Sequence, residues 1–540
     1  MVVIGGGITG AGVALDAASR GYTVALVERD DYASGTSSRS SKLVHGGLRY
    51  LQSFDLGLVR EALLERSVLV NLAPHLVRPL PLLVPAFEGK RPDRLLGVGL
   101  NMYDVMARER RGLRSRRDGS DEDWSPDRHR MIDGEEVKEL LPAVAHRDPS
   151  GAYLFYDCQT DDVRLVLTVL GEAERFGAVP ANRCDVLELV EENGRAAGVL
   201  CRDGVSGGEF EVRADNVVNA TGVWADRIRG EELHSEAELP VIRPSRGTHI
   251  TLSRERVPLV AGAIVPAGEG RSIFALPWLG RALIGTTDND YEGPLDHVPP
   301  SEDDVDYLLD ACNVFFDTYL AEDDITGGYA GVRPLISLGG DEKKSVDISR
   351  KAELFETSSG LVTITGGKLT TFRRMAKMAV DRIVERDGRE APCRTDEIPL
   401  GLPAADDDLL AVDGVDEETH ALFAHRYGHA AREVLELAAS DERLARRIVP
   451  ELPDLVAEAP FAVRNEQALA LADVLLRRTR LGLLDARVLC APDSEPARAV
   501  AEAMAPELGW DAARVDRELR EWRDVARAEG IAVGEPAAAS

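Results

Sequence analysis

The sequence predicts an α/β protein: a doubly wound domain assembled from separated pieces, an α+β domain inserted into it, and a helical domain at the C-terminal end. Three observations lead there. A strand–glycine turn–helix–strand unit opens the chain, strand-like alternation returns in blocks over residues 225–325, and the spacing turns helical after about residue 395. At 540 residues the chain is long enough for two or three domains, and its apolar fraction of 44% is ordinary for a globular protein.

In the opening unit, Val2, Val3 and Ile4 form a short apolar strand that runs into Gly5-x-Gly7-x-x-Gly10. A helical stretch follows, then a second strand over residues 23–27 that ends on Glu28. Gly5 permits the tight turn, Gly7 lets a pyrophosphate approach the backbone, and Gly10 lets helix and strand pack closely. The helix N-terminus presents unpaired N–H groups and a partial positive charge to phosphates. Glu28 lies 18 residues after Gly10, where an acid can bind ribose hydroxyls. Strand, glycines, helix, strand and acid in this order predict a Rossmann-type dinucleotide site. They do not by themselves choose between NAD and FAD.

The elements that follow extend this plan. Residues 34–42 are small, hydroxylated and basic, and lead into Leu43-Val44-His45-Gly46-Gly47-Leu48-Arg49-Tyr50. A helix is predicted over 161–176, with strands near 186–190 and 196–201 and a strand ending in Asn219-Ala220-Thr221-Gly222 before Val223 and Trp224. Alternating runs at 248–252, 273–276 and 282–285 read as strands of the inserted domain. Two glycine-bearing motifs then return, Tyr329-Ala330-Gly331-Val332-Arg333-Pro334-Leu335 and Ile364-Thr365-Gly366-Gly367-Lys368-Leu369-Thr370-Thr371-Phe372, the second opening a helix over 372–386. Residues 401–418 are acidic and punctuated by proline and glycine, as a linker would be, and helical spacing dominates beyond them, as over 465–478.

The string SSKLVHGGLRYL at 40–51, with the GVRP and GGKLTT motifs, resembles the FAD-dependent glycerol-3-phosphate dehydrogenases, within the wider group of glycine- and sarcosine-oxidase-like flavoproteins. The similarity extends over nearly the whole chain, down to Asp473-Val474-Leu475-Leu476-Arg477-Arg478-Thr479-Arg480-Leu481-Gly482 in the helical part. It implies a Rossmann-type FAD-binding domain from residues 1–50, 157–224 and 326–390, and an inserted α+β substrate domain from 51–156 and 225–325. A C-terminal helical cap domain would cover 395–533, with a disordered tail at 534–540.

The resemblance also implies site residues. Along the FAD it sets Gly5, Gly7, Gly10, Glu28, Arg29, Thr36, Ser37, Ser41, Lys42, Leu43, His45, Gly46 and Gly47, then Ala220, Gly222 and Trp224, and then Gly366, Gly367, Lys368, Leu369 and Thr370. Around the substrate it sets Arg49, Tyr50, His249, Thr287, Arg333, Arg350 and Lys368. A phosphomonoester dianion calls for several fixed cations, arginine as a planar fork and lysine as a point charge. The chain has eight lysines against 56 arginines, yet sets Lys368 in a glycine loop. Arg350 departs from the pattern, because Lys351 stands where the resemblance leads to an acid. The reaction implied is oxidation of sn-glycerol 3-phosphate to dihydroxyacetone phosphate. Hydride would pass from C2 to flavin N5, His249 or another base would take the hydroxyl proton, and Arg333 would stabilise the developing alkoxide. Electrons would pass on to a quinone. The alternatives are a glycerol-3-phosphate oxidase using oxygen, an amine or amino-acid oxidase on the same fold, and a flavin-binding protein without activity. A carboxylate substrate needs one arginine and no lysine, which disfavours the amino-acid oxidase.

Charge and cysteine usage bound the setting. The net charge of −29 disfavours nucleic-acid binding. An acidic, lysine-poor surface suits a salt-rich, halophilic cytosol, or an arginine-biased genome. Six scattered cysteines with no CxxC predict reduced thiols and no metal site. No run of about 18 apolar residues predicts a transmembrane helix, and no signal peptide precedes the first strand, so a cytoplasmic location is expected. Contact with lipid would then be peripheral, through the apolar stretch 95–106 and the six arginines of 108–117, with the wet loop of an acidic protein as the alternative. Pairing of two copies into a homodimer is a further expectation.

Overall fold

The computed structural model describes residues 1–47, 55–90, 92, 94–108, 128–229, 241–268, 270–337, 351–405 and 408–533. The expected substrate residues Arg49, Tyr50 and Arg350, the arginine run beyond residue 108 and the tail 534–540 lie outside these.

The first strand, Val2–Ile4, lies near the middle of a six-stranded sheet in the order Ala352–Glu356, Val362–Gly366, Val217–Asn219, Val2–Ile4, Ala25–Val27, Val179–Ala181. Pairing is parallel except at the 352–356 edge. Parallel strands are covered on both faces, which is why Val2, Val3 and Ile4 are apolar without alternation and all three are buried. Helices Ile8–Ser19, Asp162–Arg175 and Phe372–Arg386 cover this sheet, and a Cβ on Gly12 would come within 2.9 Å of the Phe372 ring. A three-stranded antiparallel sheet, Cys184–Glu192, Arg195–Asp203 and Glu209–Arg213, projects from this domain. Its first hairpin turns on Asn193 and Gly194, both at positive φ, as a twisted two-residue turn requires.

The inserted domain is built on a ten-stranded sheet whose main path runs Asn289–Asp290, Val241–Ser253, Arg281–Gly285, Ser272–Trp278, Gly262–Pro266, Arg78–Ala86, Gly151–Gln159, Leu43–Val44. The strand Ile325–Ser337, which the sequence reading puts with the first domain from residue 326, pairs antiparallel with Val241–Ser253 along its length, and so joins the second sheet. Helix Leu56–Leu72 crosses the other way: Val68, Leu69, Val70 and Leu72 bury their side chains in the core under the parallel sheet.

The C-terminal part is helical, with Glu417–Tyr427, Ala431–Ser440, Glu458–Glu466, Glu495–Leu508 and Ala512–Glu529 as its main helices. The helix predicted over 465–478 is interrupted. Gln467 takes a left-handed conformation at the end of Glu458–Glu466, and the chain re-forms as a π-helical turn over Asp473–Arg478. Asp473 holds the gap by accepting from the backbone N–H of Leu469 and Ala470. Leu471, Leu475, Leu484 and Trp522 share one core with Leu82, Trp278, Leu283 and Tyr329 of the ten-stranded sheet, so the helical part packs against that sheet.

Candidate active site

One continuous cavity of about 1270 Å³ among the described residues runs from the first βα turn to the face of the ten-stranded sheet. Small-molecule sites usually measure about 300–1,000 Å³, so this one has room for a dinucleotide and a small second ligand.

Its first end is built from backbone. Gly5 has φ +108°, and a Cβ there would stand 2.8 Å from the Ala220 carbonyl oxygen. A Cβ on Gly10 would stand 1.9 Å from the carbonyl oxygen of Gly5, so no other residue lets this helix sit so close to the turn. Gly7 begins the helix with no side chain to cap it and no acid in the first turn; Ser37 Oγ takes the Ile8 N–H, and the positive end of the helix still favours an anion. Gly5, Gly7, Ile8 and Thr9 line the cavity there. Glu28, at the end of the second strand, accepts from the N–H groups of Gly6 (2.6 Å) and Asp30 (2.9 Å). Burial pushes its carboxyl up to about 7 against those two bonds. Arg29 lies over the Trp224 ring at 5.3 Å and pairs with Asp296. Glu28, Arg29, Ala220, Gly222 and Trp224 all face the cavity. These features fit a dinucleotide: an uncapped helix start, glycines a side chain would block, and an acid at the second strand end.

The segment after Glu28 is held by ion pairs reaching across the chain. Buried Asp31 receives both Arg477 and Arg478 from the π-helical turn. Arg480 reaches the Ser38 carbonyl at 2.7 Å and Asp162 at 3.3 Å. Thr36, Ser37, Ser41 and Leu43 line the cavity; the Thr36 hydroxyl donates to the Val332 carbonyl, and Ser37 Oγ accepts from the N–H of Ile8. Lys42 goes elsewhere. At φ +59° its fully buried ammonium turns under the sheet, 2.7 Å from Asp162, 2.6 Å from the Ser38 carbonyl and 4.7 Å over the Tyr329 ring. Burial, then the Arg480 charge, brings its pKa down to about 7. Lys42 therefore supports the segment from behind.

The second end is built by strand register. In the ladder between Val241–Ser253 and Ile325–Ser337, Ser245 opposes Arg333, Gly247 opposes Gly331 and His249 opposes Tyr329. Directly opposed residues share a face, so the paired glycines clear a floor between Arg333 and His249. A Cβ on Gly247 would strike the Arg333 guanidinium at 2.4 Å. On the next strand Gly285 opposes His249, and a Cβ there would strike the imidazole at 2.2 Å. Arg333 donates to Asp288 (3.3 Å), Thr286 Oγ1 (3.2 Å) and the Thr287 carbonyl (3.2 Å). Thr286 and Asp288 face the cavity, whereas the buried Thr287 hydroxyl accepts from the Thr248 N–H and braces the strand. His249 is 2% exposed, stacks on Tyr329 at 4.8 Å and 13°, and hydrogen-bonds Ser41 Oγ through Nε2 at 2.9 Å. Burial, and then the charges of Lys42 and Arg333, hold its pKa well below the usual 6.5.

The remaining wall comes from Gly366, Gly367, Lys368, Leu369 and Thr370, and from His45 and Gly47. The two glycines of the 366–368 loop have φ +77° and +68°, which turns Lys368 towards the cavity just before helix Phe372–Arg386. The Thr370 hydroxyl accepts from the His45 N–H at 3.1 Å and so ties the two segments together. Gly46 is buried beneath: its N–H donates to the Tyr103 hydroxyl at 2.9 Å, and that hydroxyl donates to Asp157, which also receives Arg66 at 2.5 Å. The resemblance also places the Gly285-Thr286-Thr287-Asp288 run on the pocket, and Thr286 and Asp288 do line it; sequence reasoning missed Asp31, Tyr103, Asp157 and Asp162, since an isolated acid among 93, or one tyrosine among 11, carries no signal.

Residues 1–382 match the family model for FAD dependent oxidoreductases, and residues 364–515 match that for the C-terminal domain of alpha-glycerophosphate oxidase. The chain is 38% identical over 547 residues to glycerol-3-phosphate dehydrogenase 2 of Mycobacterium tuberculosis, covering 99% of this chain and 89% of the relative. It is 36% identical over 499 residues to the aerobic glycerol-3-phosphate dehydrogenase of Bacillus subtilis, covering 89% and 86%. The crystal structure of the Bacillus halodurans glycerol-3-phosphate dehydrogenase complexed with FAD superposes with a TM-score of 0.74 at 28% identity, over 99% of this chain and 96% of that one.

Proposed function

Given that this chain belongs to the FAD-dependent oxidoreductases, among the glycerol-3-phosphate dehydrogenases, we propose that it oxidises sn-glycerol 3-phosphate to dihydroxyacetone phosphate and passes the electrons to a quinone. FAD, held along Gly5, Gly7, Glu28 and the 34–47 segment, supplies the two-electron oxidant. The observation that carries the substrate assignment is Arg333 and Lys368 lining one end of the same cavity as His249. Two cations suit a phosphate dianion. His249, kept neutral by its surroundings, is the proton acceptor for the C2 hydroxyl, and a dianion beside Arg333 offsets one of the charges that weaken the imidazole as a base. Arg333, fixed by Asp288 and Thr286, steadies negative charge on the reacting oxygen.

Quinone dissolves in lipid, which gives helix Arg94–Arg108 a role. Among the described residues no helix is long and apolar enough to cross a membrane. This helix, however, leaves Val98 58% and Val105 65% exposed while Leu96, Val98 and Met102 line the cavity. Its apolar face would rest in the lipid interface and open the cavity towards the acceptor, with the arginines of 108–117 as electrostatic support. The whole reading is tested by turnover with a soluble quinone: sn-glycerol 3-phosphate should be oxidised far faster than glycerol, with little peroxide formed. Peroxide matching substrate oxidation in the presence of quinone would make it an oxidase instead.

A further inference from the structure

The imidazole of His249 is walled in. Tyr329 stacks on one face, and the Cδ2–Nε2 edge lies on Gly285, where a Cβ would come within 2.9 Å of Nε2. Nδ1 is buried and has no hydrogen-bond partner among the described residues. Among the described residues, the charged groups around the ring are Arg333, held by Asp288, and Lys42, held by Asp162 beneath Tyr329, and no carboxylate bonds to the imidazole. What Nε2 meets is Ser41 Oγ, at 2.9 Å. Ser41 and His249 both line the cavity, but Ser41 is half-buried and His249 2% exposed, and Ser41 Oγ occupies Nε2, so a bound hydroxyl meets Ser41 first.

We infer that Ser41 is a catalytic residue, a proton relay between the substrate hydroxyl and His249. The inference rests on the proposed oxidation of glycerol 3-phosphate with His249 as acceptor, and reassigns a serine first read as a cofactor contact. In the step, the substrate O–H bond breaks and its proton goes to Ser41 Oγ while the serine proton passes to His249 Nε2, leaving an imidazolium. The C2–H bond breaks with its electron pair leaving as hydride to FAD, and the C2–O bond becomes the carbonyl. That no described acid bonds to the imidazole suits this direction: a Ser-His-Asp arrangement activates serine as a nucleophile by stabilising the imidazolium, whereas here the serine only hands on a proton. The relay requires that the resting ring carry its single proton on Nδ1, with the serine hydroxyl donating to Nε2.

The test is anaerobic stopped-flow reduction of the FAD-loaded protein by sn-glycerol 3-phosphate, for wild type, Ser41→Ala, Ser41→Thr, His249→Ala and the double variant. A positioned proton acceptor contributes about 10²–10⁴-fold. Ser41→Ala should lose about 100-fold or more in limiting rate, with FAD content and substrate affinity near wild type. Ser41→Thr should recover most of the rate, and the double variant should be no slower than His249→Ala, since residues acting as a unit are not additive. Nitrogen NMR of labelled histidine should find His249 protonated on Nδ1. A wild-type rate in Ser41→Ala beside a slow His249→Ala would leave the substrate assignment intact and overturn the relay. So would additive losses, an Nε2–H ring, or loss of FAD in Ser41→Ala. A wild-type rate in His249→Ala would overturn both the acceptor reading and the relay.

Discussion

At the dinucleotide end of the cavity, Gly5, Gly7, Gly10 and Glu28 fall within residues 5–28 and act largely through backbone: a turn, a helix start, and an acid held by two N–H groups. At the end proposed for the substrate, Ser41, His249, Thr286, Asp288, Arg333 and Lys368 come from segments spread over residues 41–368 and present side chains, several of them aligned by strand register. The difference teaches what each end tolerates. A site made of backbone fails when atoms are added, and one made of side chains fails when they are removed. Between them, Asp31 ties the segment that leads from one end to the other onto the helical part.

The largest effect is expected at that tie. Asp31→Ala takes away the carboxylate that Arg477 and Arg478 share and leaves Arg477 to Asp473 and Arg478 to the more distant Glu466; breaking a buried pair costs up to about 3–5 kcal/mol. Thermal unfolding should register it, with FAD lost alongside. An unchanged melting temperature would mean the two regions stand independently. Next, Arg333→Ala and Lys368→Ala should each cost about 2–5 kcal/mol in kcat/KM for glycerol 3-phosphate while FAD content stays near wild type. Equal loss of FAD and of rate would erase the distinction between the ends. Gly10→Ala is the converse. Its methyl meets the Gly5 carbonyl, and the shift forced on turn or helix should cost about 1–3 kcal/mol, read as weaker FAD binding at unchanged substrate specificity. Full FAD occupancy in that variant would contradict the account of this end.

The smallest effect lies outside both ends. His75 is buried against the loops at Gly401 and Gly428, and burial, with His425 nearby, lowers its pKa to about 4. Between pH 6.5 and 4 the unfolded chain binds this proton and the folded one does not, so stability falls as pH drops through that window. The loss should be about 1.4 kcal/mol by pH 5.5. Acid unfolding of His75→Leu should lack that slope; an identical slope would place the acid sensitivity elsewhere.

The same division decides what the sequence revealed. Gly5 to Glu28 could be read directly, because adjacent residues make the local backbone geometry. His249 and Arg333 could be named only through resemblance: nothing near either residue states that Gly247 will oppose Gly331, which is the register that brings the two together. Residues 465–478 look like a continuous helix because both halves have helical spacing, and the left-handed Gln467 that parts them is set by tertiary contacts with Pro180 and Asn182. Lys42 sits in the most recognisable string of the chain yet points away from the cavity. A positive φ and a buried partner 120 residues distant direct it, and neither is visible locally.

The central claim is that one cavity holds FAD against a site for a phosphorylated alcohol. It is tested most directly by mixing the FAD-loaded protein anaerobically with sn-glycerol 3-phosphate and following the visible absorption. The flavin band should bleach within the mixing series, and glycerol at the same concentration should leave it unchanged. A protein that carries FAD and stays yellow with sn-glycerol 3-phosphate, or that bleaches equally with glycerol, would contradict the account.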